Sequence, residues 1–343
     1  MKYINVTGPG CTGSSAVIDL LKEYDCISYY DKQYTYEHIF MWHPEALIET
    51  VQKLTEQYFG LQTDATIRRF INKMQELLIT YGGHTFFTGQ VKERFIIAIE
   101  EYINKICSKE GEFLSCLEEV NIKKSKFNYI AKKILHNPKL TEQIFPEKYG
   151  WYTLKVGQEE LFECTQELVT QYLEIITISR EGDYYLLDAF VPETYFSLMK
   201  KIVKEEFKNI VVLRDPRDRY LDEATIRDNG IGKAIVPMDP MLYCQNYRCI
   251  MEKIGKQDRN SYHLVYFEDL IENYEDTVRK LEDYLEIDAS HHNQNAGRVF
   301  NIEESCHNCR MYKQEIMTDR YSKELSIIEE ELKEYLVEEN DNR

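Results

Sequence analysis

The segment that most constrains this chain lies near its start, where an apolar stretch meets a loop of glycines and hydroxyls. Residues 4–6 predict a short buried strand, residues 7–15 predict a loop, and residues 16–24 predict an amphipathic helix. In such a unit the glycines let backbone N–H groups turn towards an anion, and the helix N-terminus adds roughly half a positive charge. The segment therefore predicts a phosphate-binding loop.

This loop departs from the pattern of nucleoside triphosphatases. Their loops carry a Lys directly before Ser or Thr, whereas here Gly13 precedes Ser14 and Ser15. The missing Lys points away from ATP hydrolysis and towards another phosphate-bearing ligand. A kinase that uses ATP and magnesium remains an alternative, disfavoured because the sequence also shows no clear strand-terminal Asp for the metal.

Four more apolar segments predict buried strands of a parallel sheet, at 27–30, 184–188, 209–213 and 262–267. Between about 34 and 180 the apolar residues instead recur at helical spacing, as in Ile67, Phe70 and Met74. Residues 64–66 are predicted to cap one of these helices. The predicted fold class is α/β, a P-loop-type parallel sheet flanked by helices. One domain is predicted to span 1–343, with a large helical insertion at about 34–180.

Composition limits the partners and the compartment. The formal charge of −17 argues against a general nucleic-acid surface, so an anionic ligand needs a local basic island. The sequence shows no secretory signal and no apolar run of the roughly 20 residues that a membrane span needs. Nine scattered cysteines suit reduced thiols, and we expect a cytoplasmic protein. The apolar insertion makes a homodimer possible.

Three later segments carry further candidate site residues. Arg214 and Arg217 follow the strand at 209–213 in the run Arg-Asp-Pro-Arg-Asp, and the planar fork of Arg suits a phosphate. The strand at 262–267 leads into Phe-Glu-Asp-Leu, which contains Glu268 and Asp269. A late segment contains Ser305, Asn308, Arg310 and Lys313.

The order of these motifs resembles the sulfotransferase family, in particular a bacterial branch associated with carbohydrate or capsular-polysaccharide sulfation. The resemblance covers about 1–30 and 184–315. It implies transfer of a sulfuryl group from 3′-phosphoadenosine 5′-phosphosulfate (PAPS) to a hydroxyl of a glycan or small molecule, without a metal. Glu268 and Asp269 are interpreted as structural, holding the strand end and the neighbouring loop.

The resemblance also implies which residues bind the donor. The first loop would wrap the 5′-phosphosulfate, through Gly10, Cys11, Thr12, Gly13, Ser14 and Ser15. Arg214 would grip the 3′-phosphate with Arg217 close by. The late segment would close over the adenosine and the 3′-phosphate, through Ser305, Asn308, Arg310 and Lys313.

Two departures from the family pattern leave the activity open. Asp222 stands where the family usually has a Ser, and Cys11 stands where it usually has Lys or Arg. An active enzyme therefore needs another cation near Cys11, for which Lys92, Arg94 and Lys155 are candidates. At a helix N-terminus Cys11 is also a candidate reactive thiol. A non-catalytic nucleotide-binding protein of the same fold is the second interpretation.

An acceptor hydroxyl needs a general base. Asp188, at the end of a predicted strand, is the first candidate, and the histidines of the insertion, His38, His43 and His84, are the others. The pair His291-His292 is a further candidate for ligand contact. The single Cys306-His307-Asn308-Cys309 run predicts no zinc site, because no second ligand pair stands at zinc-finger spacing.

Overall fold

The computed structural model describes residues 1–29, 37–56, 60–78, 89–114, 148–177, 182–228, 236–292 and 296–337. The chain divides into two units, Met1–His38 with Ser179–Arg343 and Ile39–Ile178. Each unit is described by itself below. The single domain of 1–343 with an insertion at about 34–180 stays a prediction.

The first unit is built on a five-stranded parallel sheet. Its strands are β1 (Lys2–Thr7), β2 (Ile27–Ser28), β5 (Tyr184–Asp188), β6 (Phe207–Leu213) and β7 (His263–Tyr266), in the spatial order β2-β5-β1-β6-β7. Every predicted strand is present, and the predicted α/β class is confirmed.

The register of the sheet brings its carboxyl ends to one edge. Val6 lies opposite Asp188 of β5 and Ile210 of β6, and Leu213 lies opposite Tyr266 of β7. The loop after β1 and the residues that follow β6 and β7 therefore begin at the same edge. In open α/β sheets this edge is where ligands bind.

Helices of the first unit flank this sheet, and the helices of both units are given together here. The described helices of the chain are α1 (Ser14–Leu21), α2 (Glu37–Met41), α3 (Leu47–Glu56), α4 (Gly60–Glu76), α5 (Gly89–Ile106), α6 (Gln158–Ile176), α7 (Phe196–Ile202), α8 (Pro216–Asp228), α9 (Pro240–Gly255), α10 (Phe267–Glu272), α11 (Tyr274–Leu285), α12 (Ile302–Ser305) and α13 (Glu315–Glu331). The last of these helices, α13, ends at Glu331, and non-helical backbone at Tyr321 bends it.

Both faces of the sheet are buried, as expected for parallel strands. On one face Ile4 and Val6 pack with residues of α1 and α11, among them Val17 and Leu281. Asn5, which lies between them in β1 and faces the other side of the sheet, is also fully buried. Its side-chain amide donates to Asn209 Oδ1 of β6 at 3.0 Å and to the Val191 carbonyl at 2.9 Å. These bonds replace the water that a buried amide loses.

The second unit contains α3 to α6 and a two-stranded antiparallel sheet. That sheet pairs β3 (Cys107–Leu114) with β4 (Lys148–Leu154), and the prediction of a helical insertion did not include these two strands. Residues 64–66 lie inside α4 rather than at its start. Asp64 instead accepts the Tyr152 amide of β4 at 3.0 Å and pairs with Arg68 at 2.8 Å. A tertiary contact therefore replaces the predicted cap.

None of the helices in the described part of the chain is long and apolar enough to cross a membrane. The eight described cysteines are free thiols.

Candidate functional site

The loop after β1 has a left-handed backbone at three positions. Gly10, Cys11 and Gly13 have φ values of 76°, 55° and 84°. Gly13 immediately precedes α1, and no side chain caps the helix there. A side chain at Gly13 is excluded by space as well as by φ, because a Cβ would lie 2.3 Å from the ring of Phe267. The Ala16 amide donates to the Gly13 carbonyl at 3.0 Å, whereas the N-cap residue gives the Ser14 and Ser15 amides no side-chain acceptor.

A cavity of about 360 Å³ opens beside this loop. Its wall combines the start of α1, the end of β6, one turn of α8 and the late segment, through Cys11, Gly13, Ser14, Ser15, Ala16, Asp19, Arg214, Asp222, Ile226, Phe267, Val299, Phe300, Asn301, Glu304, Ser305 and Asn308. Its volume lies at the lower end of the range usual for small-molecule sites. The loop and the first arginine of the Arg-Asp-Pro-Arg-Asp run thus share one cavity.

Arg214 is almost fully buried at the end of β6. Its guanidinium donates to the Cys11 carbonyl at 3.2 Å and to the Asn308 carbonyl, and it lies 5.0 Å from the centre of the Phe267 ring. It therefore ties the first loop to the late segment. Its Nε has no hydrogen-bond partner among the described residues.

Asp222 neutralises this arginine. Its Oδ2 lies 3.2 Å from Arg214 Nη1, one of the two guanidinium nitrogens that end the side chain. Burial raises the pKa of Asp222, although the charge of Arg214 opposes the shift. Of the described residues in the cavity wall, Arg214 is the one cation, while Asp19, Asp222 and Glu304 are acidic. A phosphate that binds Arg214 through Nη1 would compete with Asp222 for that nitrogen.

The surroundings of Cys11 disfavour its thiolate form. Burial, followed by the charges of Asp222 and Glu223, raises its pKa to about 12. Its Sγ donates to Glu223 Oε2 at 3.5 Å. The expected lowering by the helix N-terminus is outweighed because two carboxylates face the sulfur.

A cation does lie next to the Cys11 loop, but it is Arg219. Its Nε donates to the Gly10 carbonyl at 2.9 Å, and its Nη2 donates to the Pro9 carbonyl. The positive charge of Arg219 opposes the rise in the pKa of Cys11. Arg219 directly follows the Arg-Asp-Pro-Arg-Asp run, and nothing in the sequence distinguished it. Its position depends on the helical turn that begins at Asp215, whose carbonyl accepts the Arg219 amide.

The three cations expected from the insertion belong to the other unit. Lys92 and Arg94 are exposed on α5, and Lys155 is exposed after β4. Among the described residues of the first unit, Arg214 and Arg219 are the cations whose guanidinium groups bond carbonyls of the loop.

Buried carboxylates also surround this loop. Glu193 Oε2 accepts the Thr7 hydroxyl at 3.0 Å, and burial raises the pKa of Glu193. Sequence analysis missed both Glu193 and Glu223, because an acidic residue in a helix is usually solvated. Thr12 is buried in the loop, and its hydroxyl has no partner among the described residues. Gly10 and Thr12 support the loop without lining the cavity.

The other predicted phosphate ligands point elsewhere. Arg217 forms a two-point ion pair with Asp215, at 2.8 and 3.0 Å, and its guanidinium lies 3.6 Å from the centre of the Tyr312 ring. Arg310 pairs with Glu272, and Lys313 lies over the Tyr312 ring. These three cations are not among the described residues of the cavity wall, whereas Ser305 and Asn308 are.

Glu268 supports the neighbouring strand end, as predicted. Its Oε1 accepts the Asp215 amide at 2.9 Å, and its other oxygen has no partner among the described residues. Burial raises its pKa to about 7, and the charges of Asp215 and Asp218 add to the shift. Burial also raises the pKa of Asp218 to about 6.

The general-base candidates are only partly described. Asp188 ends β5, and the residue is exposed. Partial desolvation of its carboxylate raises its pKa, although the positive charge of Lys22 opposes the shift. It does not belong to the described wall of the cavity. His84 and the side chain of His38 lie outside the described residues.

The two adjacent histidines are held by carboxylates. His292 is buried, lies 2.8 Å from Glu23 and stacks on Tyr24, and His291 lies 2.6 Å from Asp25. Neither lines the described part of the cavity.

Comparison with known proteins gives little further guidance. No family model matches the chain, and no curated protein matches it. Two solved structures align with it, a sulfotransferase domain from the curacin biosynthetic pathway and the sulfotransferase STF9 from Mycobacterium avium. The first has a TM-score of 0.37 and 10% identity over 97% of each chain. The second has a TM-score of 0.36 and 11% identity over 97% of this chain and 75% of that one. These values are too low to carry an argument about this protein.

Proposed function

We propose that the first unit binds a bisphosphorylated adenine nucleotide and that the protein is a PAPS-dependent sulfotransferase. The observation that carries the proposal is the shared cavity of the uncapped start of α1 and Arg214. A phosphate-bearing group at each end of one nucleotide matches these two features. The unpartnered Nε of Arg214 supplies a buried donor for such an anion.

In this proposal the loop amides and the hydroxyls of Ser14 and Ser15 hold the phosphosulfate end. Arg214 holds the 3′-phosphate, and Ser305 and Asn308 close the cavity over the nucleoside. PAPS supplies an activated sulfuryl group. The acceptor oxygen forms a bond to sulfur while the bond from sulfur to the bridging phosphate oxygen breaks, so adenosine 3′,5′-bisphosphate leaves.

Catalysis then rests on charge and position, since we expect the transition state to be loose, as in phosphoryl transfer. Arg219 serves in place of the Lys or Arg that the family usually has at the position of Cys11. It acts indirectly, by bonding the carbonyls of the loop. Asp188 remains the first candidate to take the acceptor proton, because it ends β5 at the edge of the sheet where the carboxyl ends of the strands lie. His38 and His84 remain alternatives.

The acceptor is a hydroxyl-bearing glycan or small molecule, in keeping with the carbohydrate branch that the motifs resemble. A net charge of −17 disfavours nucleic acid as the partner. A cytoplasmic location and a homodimer complete the proposal.

A non-catalytic nucleotide-binding protein is the second candidate. Two observations favour it, the pairing of Asp222 with Arg214 and the neutral thiol of Cys11. Both reduce the positive charge available to a sulfuryl group in transfer.

Calorimetric titration tests the proposal directly. We expect 3′-phosphoadenosine 5′-phosphate to bind and ATP with magnesium to bind weakly or not at all. Arg214→Ala is expected to weaken the 3′-phosphorylated nucleotide far more than adenosine 5′-phosphate. Arg320→Ala removes a surface arginine paired with Asp228 and serves as the control. Equal losses for both nucleotides, or binding of ATP alone, would contradict the proposal.

Transfer of labelled sulfate from PAPS to a glycan extract separates the two candidates. A labelled product supports the enzyme. Nucleotide binding with no transfer supports the non-catalytic protein.

A further inference from the structure

Three side chains of different chemistry meet where the turn after α1 contacts the segment after α11. Asp25, Cys26 and His291 each offer one ligand atom, and these atoms all lie within 4.8 Å of one another. Two of the residues are adjacent in sequence, and the third is 265 positions later along the chain. The fold therefore creates this cluster, which no sequence motif predicts.

We propose that Asp25, Cys26 and His291 form a binding site for a divalent transition-metal ion of the zinc class. A thiolate, an imidazole and a carboxylate are the ligands that zinc accepts, and a water completes a tetrahedral site with three protein ligands. Ligand atoms around zinc lie roughly 3.3–3.8 Å apart, given bond lengths of about 2.0–2.3 Å. The observed spacing, including 2.6 Å between Asp25 Oδ1 and His291 Nδ1, requires only small side-chain movements.

The backbone around the site is already fixed. The Asp25 amide donates to the His291 carbonyl at 3.1 Å, which joins the two segments directly. One turn away, Glu23 accepts from His292 at 2.8 Å and from the Val299 and Phe300 amides at 2.7 and 2.8 Å. The ligands are thus positioned before the ion arrives, which lowers the entropic cost of binding.

The local charge also favours a cation. The carboxylates of Asp25 and Asp183 lie close enough for their negative charges to act on the sulfur of Cys26 and to disfavour a bare thiolate. A divalent ion reverses this effect, because it replaces the thiol proton, which passes to water, and it neutralises the carboxylate. The same carboxylates that disfavour a bare thiolate therefore favour a metal thiolate.

Such an ion would brace the segment that continues into the cavity wall at Phe300 and Asn301. Its role is structural, and it does not depend on the proposed transfer reaction. Metal binding is also measured without nucleotide, so its outcome is independent of the sulfotransferase proposal.

Cobalt titration of the metal-free full-length protein tests the site. We expect one equivalent of Co²⁺ to bind with a thiolate-to-metal absorption band, and Zn²⁺ to displace it. Cys26→Ser should abolish the band. His291→Gln and Asp25→Asn should each weaken cobalt binding by more than roughly 10- to 100-fold, the loss that is usual when a residue hydrogen-bonded to a metal ligand is replaced. These last two positions are not buried, so both variants test the site even if Cys26→Ser does not fold.

Cys306→Ser is the matched control, because it removes an exposed cysteine near His307 and Cys309. It should leave the cobalt band and the zinc affinity unchanged. Absence of cobalt binding, a band that persists in folded Cys26→Ser, affinity unchanged in His291→Gln, or loss of the band in Cys306→Ser would each overturn the proposal.

Discussion

Replacing Asp222 by serine is expected to tighten the binding of 3′-phosphoadenosine 5′-phosphate. In the structure Asp222 holds Arg214 in an ion pair of 3.2 Å, and the arginine side chain is only 2% exposed. The carboxylate both occupies a guanidinium N–H and repels an incoming phosphate. Serine removes the charge and leaves a hydroxyl that can donate to the phosphate.

The size of the effect follows from the freed interaction. A hydrogen bond to a charged group contributes about 1.5–3 kcal/mol, which corresponds to a roughly 10- to 150-fold lower Kd. Adenosine 5′-phosphate lacks the 3′-phosphate, so its Kd should stay nearly unchanged. Because burial raises the pKa of Asp222, the wild-type carboxylate begins to protonate above its usual range. The difference in Kd between the wild-type protein and Asp222→Ser should therefore become smaller as the pH falls.

Isothermal titration calorimetry with both nucleotides measures this difference. Glu304→Gln removes another carboxylate of the cavity wall that has no ion pair with Arg214, and its effect should stay below about fivefold, as for exposed charges. If Asp222→Ser leaves the Kd of the 3′-phosphorylated nucleotide unchanged or raises it, Asp222 positions Arg214 instead of blocking it. That result would refute the reasoning.

Other contacts of the first unit lead to three more expected outcomes. Gly13→Ala should lower the free energy of unfolding by about 1–3 kcal/mol, because its φ is 84° and the new Cβ would meet Phe267. Gly255→Ala, where a Cβ would stand in open space, is the control, and equal urea midpoints for the two variants would contradict this expectation. Glu268 has a pKa of about 7, above its ordinary 4.5, so the stability it contributes is complete below pH 4.5 and is lost as the pH rises through 7. Glu268→Gln should flatten that slope, by up to roughly 1.4 kcal/mol per pH unit, and an unchanged slope in urea unfolding would count against it. Arg219→Met should cost at least about 1.5 kcal/mol of unfolding free energy and weaken nucleotide binding, and wild-type values for both would show that Arg219 does not hold the loop.

The strands and the first loop could be predicted from sequence because their signals are local. A fully apolar run such as residues 184–188 suits a strand covered on both faces, and glycines next to hydroxyls mark a loop that needs left-handed backbone. The glycines of that loop follow from the sequence, and so does the support that Glu268 gives to the neighbouring strand end. The antiparallel pair of β3 and β4 was not predicted, because its partners are separated by a long stretch of chain.

The sequence by itself determined the class of the fold, the glycine-rich loop after β1 and the absence of the triphosphatase Lys from that loop. Only the tertiary structure decided what each charged side chain meets. Arg214, Arg217 and Arg219 stand within six residues of one another, yet one lines the cavity, one pairs with Asp215 and one holds the loop. The reason is physical, since strand end and helical turn aim successive side chains in different directions, and the partners of a buried charge come from distant segments.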